Sequence, residues 1–207
     1  MRRERPSVAA IGSRRTILRL AAIVRDGSAV TEHGITGIHA LKARLFTDKQ
    51  MQHMLDKIAS WRFQSDWGTR GIAIGEPGFN PVGYVHGSVS GLRTAEVAQA
   101  FCTGHRPVTA FEIWRELVSW FSLDSLGHMH EVLRGEVYAS QSESVPEQTW
   151  SSPGFLSAAV HGLFGLEASA EWHSCSCAAS SGELGPCHSS KCAHPRFISC
   201  VYFPAIP

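Results

Sequence analysis

Apolar residues recur at helical spacing in four stretches of the chain. In KQMQHMLDKIASW, Met51, Met54, Leu55 and Ile58 fall at i, i+3, i+4 and i+7 and define one face of a helix, with Thr47 or Asp48 placed to cap it. GLRTAEVAQAFCTG sets Leu92, Ala95, Val97, Ala98 and Phe101 in a short buried helix that stops at Gly104. His105, Arg106 and Pro107 form a turn, and Pro107 opens the next helix, where a missing N–H costs little. VTAFEIWRELVSWFS aligns Phe111, Trp114, Leu117, Val118 and Phe121, and SSPGFLSAAVHGLFGLE aligns Leu156, Val160, Leu163 and Phe164, with Gly165 at its end. The predicted core is Met54, Leu55, Ile58, Phe101, Phe111, Trp114, Leu117, Leu156, Val160 and Leu163.

Two stretches between these helices lack any such rhythm. Residues 62–91, RFQSDWGTRGIAIGEPGFNPVGYVHGSVSG, are rich in glycine and aromatics. Residues 128–152, HMHEVLRGEVYASQSESVPEQTWSS, gather four glutamates, two histidines, two glutamines and a Trp. Structureless loops of this length inside a compact domain are usually functional or disordered, and the Trp, Tyr and Phe of residues 62–91 argue against disorder there. The order is helix, long loop, helix, short turn, helix, long loop, helix. It predicts an all-α fold of antiparallel helical pairs whose long loops collect at one end and carry the site.

Composition adds bounds. The 207 residues suffice for one domain with a sizeable core, and 43% apolar with 18% charged residues is a globular balance. A net charge of +1 gives no reason to expect nucleic acid or an anionic membrane as partner. No apolar run is long enough to span a bilayer.

The texture divides the chain into an irregular basic segment at 1–40, a helical domain at 41–167 and a Cys/Ser-rich tail at 168–207; the two flanks are expected to be poorly ordered. In the first, Arg14 and Arg15 precede Ile17 and Leu18 as in a twin-arginine export signal, but Arg19, Arg25 and Asp26 break the apolar stretch such a signal needs. A cytoplasmic location is therefore the expectation. The tail holds Cys175, Cys177, Cys187, Cys192 and Cys200 together with His173, His188 and His194. A small zinc-binding or disulfide-bearing protein is the alternative reading. The C-x-C-x9-C-x4-C spacing fits no common zinc framework, and five thiols leave one unpaired. Abrupt loss of pattern after Glu167 matches a reading frame that slips there. His128 and His130 alternate like metal ligands, but no adjacent set completes a site, and no cofactor is expected.

Three segments, in order, carry a resemblance. DWGTRGIAIGEPGFNPVGYVHGSVSG, HEVLRGE and VPEQTWSSPGFL resemble the C-terminal part of the six-hairpin glycosidases, the glycogen-debranching (amylo-alpha-1,6-glucosidase) and mannosylglycerate-hydrolase-like families. The likeness covers roughly residues 50–167. It implies a partial (α/α)6 toroid and an inverting hydrolase of alpha-linked glucosides, mannosides or related oligosaccharides.

Residue by residue, Gly68, Thr69 and Arg70 match the family's Gly–x–Arg segment. Tyr84, His86, Gly87, Ser88 and Val89 match its Tyr–His–x–Gly–(Ser/Thr/Pro)–Val–Trp loop, without a residue between His86 and Gly87 and with Ser90 in place of Trp. Glu131 matches the general base, and Gln148 and Trp150 match a Gln–x–Trp–Ser segment that opens the last helix.

Inversion needs a second carboxylic acid to protonate the leaving oxygen, roughly 6.5–9.5 Å from the base. The family's acid lies upstream of anything matched here, so the chain is expected to be a C-terminal fragment, inactive alone. Trp67, Tyr84 and Trp150 are the expected stacking rings, and Arg70, His86 and Gln148 the expected polar contacts to sugar. Large aromatics are as readily core, Arg70 as readily pairs with Asp66, and Glu131 has a solvated-loop alternative. Helix faces left bare by missing hairpins would favour self-association.

Overall fold

The computed structural model describes residues 34–168, apart from Arg44 and Ser125, together with the backbone of three flanking strands. Those strands are β1 (Leu20–Ile23) and β2 (Ala29–Thr31), paired antiparallel with an irregularity between Leu20 and Ala22, and β8 (His173–Cys175). The last pairs antiparallel with β7 (Leu166–Ala168). The sequence pattern signals neither hairpin. The Arg14–Arg15 pair and the cysteines beyond Cys175 lie outside the described residues.

The described chain is mostly helical, as the periodicity predicts. A 3-10 turn, Ile35–Gly37, leads into α1 (Ile38–Lys42), and together they bury Ile35, Ile38 and Leu41. The core thus begins before residue 41. Helix α2 (Asp48–Ile58) opens with a capping box. The Thr47 hydroxyl accepts from the Gln50 amide at 3.4 Å, and the Thr47 amide donates to Gln50 Oε1 at 2.9 Å. The predicted Met54, Leu55 and Ile58 are fully buried on its inner face.

Helix α3 (Gly91–Thr103) is the centre of the molecule. It packs against α1, against α4 (Pro107–Glu116) and against α5 (Ser151–Ser157). Thr94, Ala95, Ala98 and Ala100 are buried along it, and these small side chains let three neighbours approach closely. Ser90 is its N-cap, with its hydroxyl accepting from the Arg93 amide at 3.4 Å. At the position where the resembling family has Trp, this chain therefore carries a capping hydroxyl.

Helix α4 continues as a tighter 3-10 segment, Leu117–Ser122, and α5 continues as a π-helical turn, Ala158–Leu163. Both helices form where expected, but each is rolled about its axis. On α4 and its extension the buried residues are Ala110, Ile113, Leu117 and Trp120, whereas Phe111 and Val118 are exposed. Two features favour this roll. Ala110 offers no bulk between α4 and α3, and burying Trp120 lets its indole N–H donate to the Trp67 carbonyl at 2.9 Å.

On α5 and its extension, Gly154, Ala158, Ala159 and Gly162 face inward, and Leu156 and Val160 face out. A Cβ at Gly154 would sit 2.9 Å from Leu92 Cδ1 and 3.6 Å from Ala95 Cβ, so the contact with α3 needs the small residue. The predicted core positions Phe111, Leu156 and Val160 are thus corrected to surface, and Trp114 and Leu163 are partly buried.

The two long loops are pinned by short antiparallel pairs. Strands β3 (Gln64–Ser65) and β4 (Gly68–Thr69) form a hairpin, and β5 (Val89–Ser90) pairs with β6 (Val132–Leu133) across the loops. Gly68 has φ 136° and lies so close to Thr94 and Val89 that a Cβ would meet them at 2.7 and 2.8 Å. The Thr69 amide donates to Thr94 Oγ1 at 3.0 Å, tying the hairpin to α3.

Candidate functional site

Glu131 sits at the end of an irregular run, immediately before β6. Its amide donates to the Val145 carbonyl at 2.9 Å, and its own carbonyl accepts from Gly91 at the start of α3 at 3.2 Å. Both bonds fix the backbone, so the side chain is aimed by the scaffold. The residue is only 6% exposed. Its Oε1 accepts a hydrogen bond from the Tyr84 hydroxyl. The Ser88 hydroxyl in turn donates to the Tyr84 carbonyl and holds that residue over the carboxylate.

The Tyr84 phenol is pushed up to about 12, first by its hydrogen bond to Glu131 and then by burial. Ionising it would set a phenolate against a carboxylate. The pair is therefore stable with the proton on the tyrosine.

These two residues share a cleft of about 340 Å3 with Trp150, and Thr36, Ser88, Ser90 and Arg93 supply further polar atoms. Trp150, at the N-cap of α5, is 51% exposed and lines the cleft. Among the described residues that line the cleft, Glu131 is the one carboxylate. A shallower groove shares Trp150 and Leu92 with this cleft and adds Glu96, Gln99 and Thr149. The indole therefore stands between two adjoining depressions.

A second layer steadies Glu131. His130 is buried, with Nε2 2.5 Å from Asp124 Oδ2 and Nδ1 3.3 Å from Ser144 Oγ. The Ser144 hydroxyl also accepts from the Val132 amide at 3.1 Å. This chain of contacts grips the backbone on both sides of Glu131. Among the described residues no three His, Cys, Asp or Glu side chains converge as metal ligands.

Of the expected site residues, the structure brings Tyr84, Glu131 and Trp150 together. Arg70 is turned inward, where its guanidinium donates to the carbonyls of Gly135 at 2.6 Å, Gln64 at 2.5 Å and Trp61 at 3.2 Å. Burial lowers its pKa, opposed by Glu136 and Asp66. It clamps the two loops together. Trp67 packs against the core and Tyr138, with its indole donating to the Arg134 carbonyl at 3.0 Å. His86 is exposed in a turn, and Gln148 joins the Met129 carbonyl through its amide; neither lines the cleft.

Arg93 lies at the cleft with no motif to mark it, and Ser88, matched only as one member of a loop, braces Tyr84. Arg93 pairs with Glu96 at 2.8 Å and touches His39. Its i, i+3 relation to Glu96 reads in sequence as an ordinary helical ion pair, and only the fold puts it at the rim.

No protein-family model matches the chain, and no curated protein matches it.

Proposed function

We propose that the cleft is a carbohydrate site of the six-hairpin glycosidase kind, with Glu131 in the position of the general base of an inverting hydrolase of alpha-linked glucosides, mannosides or related oligosaccharides. The fold reading that goes with it is a part of an (α/α)6 toroid. The observation that carries the proposal is the convergence of Glu131, Tyr84 and Trp150 from three separate segments on one open cleft.

Sugars are bound by a flat ring under the pyranose face and by charge-assisted hydrogen bonds to hydroxyls. Trp150 supplies the ring. Glu131 supplies the acceptor, with its Oε1 held by the Tyr84 hydroxyl. A carboxylate held this way is also suited to remove a proton from water.

Turnover needs a partner acid on the opposite face, and no second carboxylate lines the cleft among the described residues. The chain by itself therefore binds sugar without hydrolysing it.

The test is a titration of tryptophan fluorescence with maltose, isomaltose, mannobiose and mannosylglycerate, on the unaltered chain, on Trp150→Ala and on Glu131→Gln. Saturable quenching that Trp150→Ala abolishes, and that Glu131→Gln weakens about tenfold or more, supports the site. No response to any of the sugars sinks it. Hydrolysis that vanishes in Glu131→Gln would keep the site but place an acid in the chain, with Asp124 and Asp66 the first to examine.

A further inference from the structure

The groove beside the cleft runs between α3 and α5. Leu92, Glu96 and Gln99 line one wall at i, i+4 and i+7, a single face of α3. Thr149 and Ser157 line the other, from the approach to α5 and from its last residue. Between the walls the two helices touch: a Cβ at Gly154 would sit 2.9 Å from Leu92 Cδ1. The groove is closed at that point.

Its lining is polar and its charge is paired. Among the described residues that line it, Glu96 is the one carboxylate, and it lies 2.8 Å from Arg93 Nη1. The other polar groups are the Gln99 amide and the Thr149 and Ser157 hydroxyls. Gln99 Nε2 donates to Ser157 Oγ at 2.9 Å. That bond uses one of the two amide N–H groups and one hydroxyl lone pair. The Gln99 carbonyl keeps its capacity as an acceptor and the Ser157 O–H its capacity as a donor. A strongly charged ligand meets no unpaired counter-charge here among the described residues. A ligand rich in neutral hydroxyls meets donors and acceptors on both walls.

Continuity with the cleft narrows the class further. Leu92 and Trp150 line both depressions, so the two adjoin at an indole that is 51% exposed. Their volumes, about 340 and about 490 Å3, each fall within roughly 300–1,000 Å3, the range of small-molecule sites. A compact ligand fills one of them. A chain of linked rings fills both, and an aromatic side chain at the junction offers a flat contact to the apolar face of a sugar.

We infer that the groove is a second sugar subsite, and that the ligand of the cleft is an uncharged oligosaccharide whose chain passes Trp150 to set a further ring against Gln99, Thr149 and Ser157. The inference rests on the carbohydrate reading of the cleft and adds chain length to it.

Isothermal titration calorimetry of the full chain tests it with glucose, maltose, maltotriose, maltotetraose and maltopentaose, and with mannose and its alpha-linked oligomers of the same lengths. The expected result is one step in affinity, of about tenfold or more, at the length where an added ring enters the groove. Gln99→Ala and Thr149→Ala, on opposite walls, should each cut that step to about threefold or less. Glu131→Gln should weaken every length by a similar factor and leave the step in place. Thr149 is exposed and precedes α5, and alanine is the best helix former at position 99, so both groove variants should fold, which far-UV circular dichroism checks. Binding with no step in length, or a step that either groove variant leaves intact, overturns the inference while the cleft reading stands. Absence of binding by every sugar overturns both.

Discussion

The Tyr84 hydroxyl donates to Oε1 of Glu131, so the one carboxylate among the described residues that line the cleft is held by a phenol from another segment of chain. Tyr84 comes from the turn after Pro81 and Glu131 from the run before β6, and the pairing of β5 with β6 and the bond from the Gly135 amide to the Pro81 carbonyl bring them together. The bond has a spectroscopic signature. Tyr84 should ionise only near pH 12, and the step identified as its own by difference from Tyr84→Phe should move down in Glu131→Gln. An unchanged step in Glu131→Gln would mean that the two groups do not meet in solution.

Glu116, at the end of α4, gives a second pH effect of opposite practical consequence. Burial raises its pKa to about 8; Asp66 adds to the rise, Arg115 opposes it and Glu112 adds a little. Its Oε2 is buried without a hydrogen-bond partner among the described residues. A folded-state pKa above the unfolded value of a carboxyl group means that the folded chain holds the proton longer. Below about pH 4 both states are protonated and the group costs nothing. Between there and about pH 8 stability falls, and above that it is level. After allowance for partial exposure the loss is on the order of 3 kcal/mol. Glu116→Gln should flatten that slope and raise the melting temperature at pH 8 more than at pH 4. A variant with an unchanged pH profile would refute this origin.

Arg70 tests the division between binding and scaffolding. Its guanidinium serves three carbonyls, on Trp61, Gln64 and Gly135. Arg70→Met removes all three bonds and leaves buried acceptors unpaired, at a cost of about 3 kcal/mol. Arg70→Lys should recover only part, because an ammonium cannot reproduce the planar fork. Chemical denaturation of the three proteins checks the order. If Arg70→Met were as stable as the parent yet lost sugar binding, the residue would be a ligand contact.

Legibility in the sequence differs between elements for physical reasons. Helix α2 is readable down to Thr47 and the buried Met54, Leu55 and Ile58, because its apolar stripe has no competitor on the other faces. Helices α4 and α5 can be placed from the pattern but not oriented. On each, two stripes compete, and the buried one contains the smaller residues: Ala110 and Ile113 instead of Phe111, and Ala158 and Ala159 instead of Leu156 and Val160. Hydrophobicity ranks the large residues inside, while close approach to α3 selects the small ones. In the site, Glu131, Tyr84 and Trp150 line one cleft. Arg70 and Trp67 read as sugar contacts because a sequence cannot show that a guanidinium or an indole N–H is already occupied by backbone carbonyls. The Asp124–His130–Ser144 chain is invisible for the same reason, since its members lie in an aperiodic run.

The seam between the 81–87 turn and the segment just after β6 offers one substitution with two readouts. Gly135 approaches Gly87 so nearly that a Cβ at 135 would lie 2.1 Å from the Gly87 carbonyl oxygen, and its amide donates to the Pro81 carbonyl at 2.8 Å. The obstruction is backbone on both sides, so no side chain can swing away to relieve it. Gly135→Ala must push the 81–87 turn from the Glu131 run or break the bond to Pro81. Either shift also displaces the Gly135 carbonyl from Arg70. The expected cost is about 2–3 kcal/mol in denaturant unfolding. Because Tyr84 lies in the displaced turn, the variant should also lose the late ionisation of that tyrosine while the helices stay intact by circular dichroism. A Gly135→Ala protein that keeps both its stability and the high-pH step would show that the two loops are not joined at this seam.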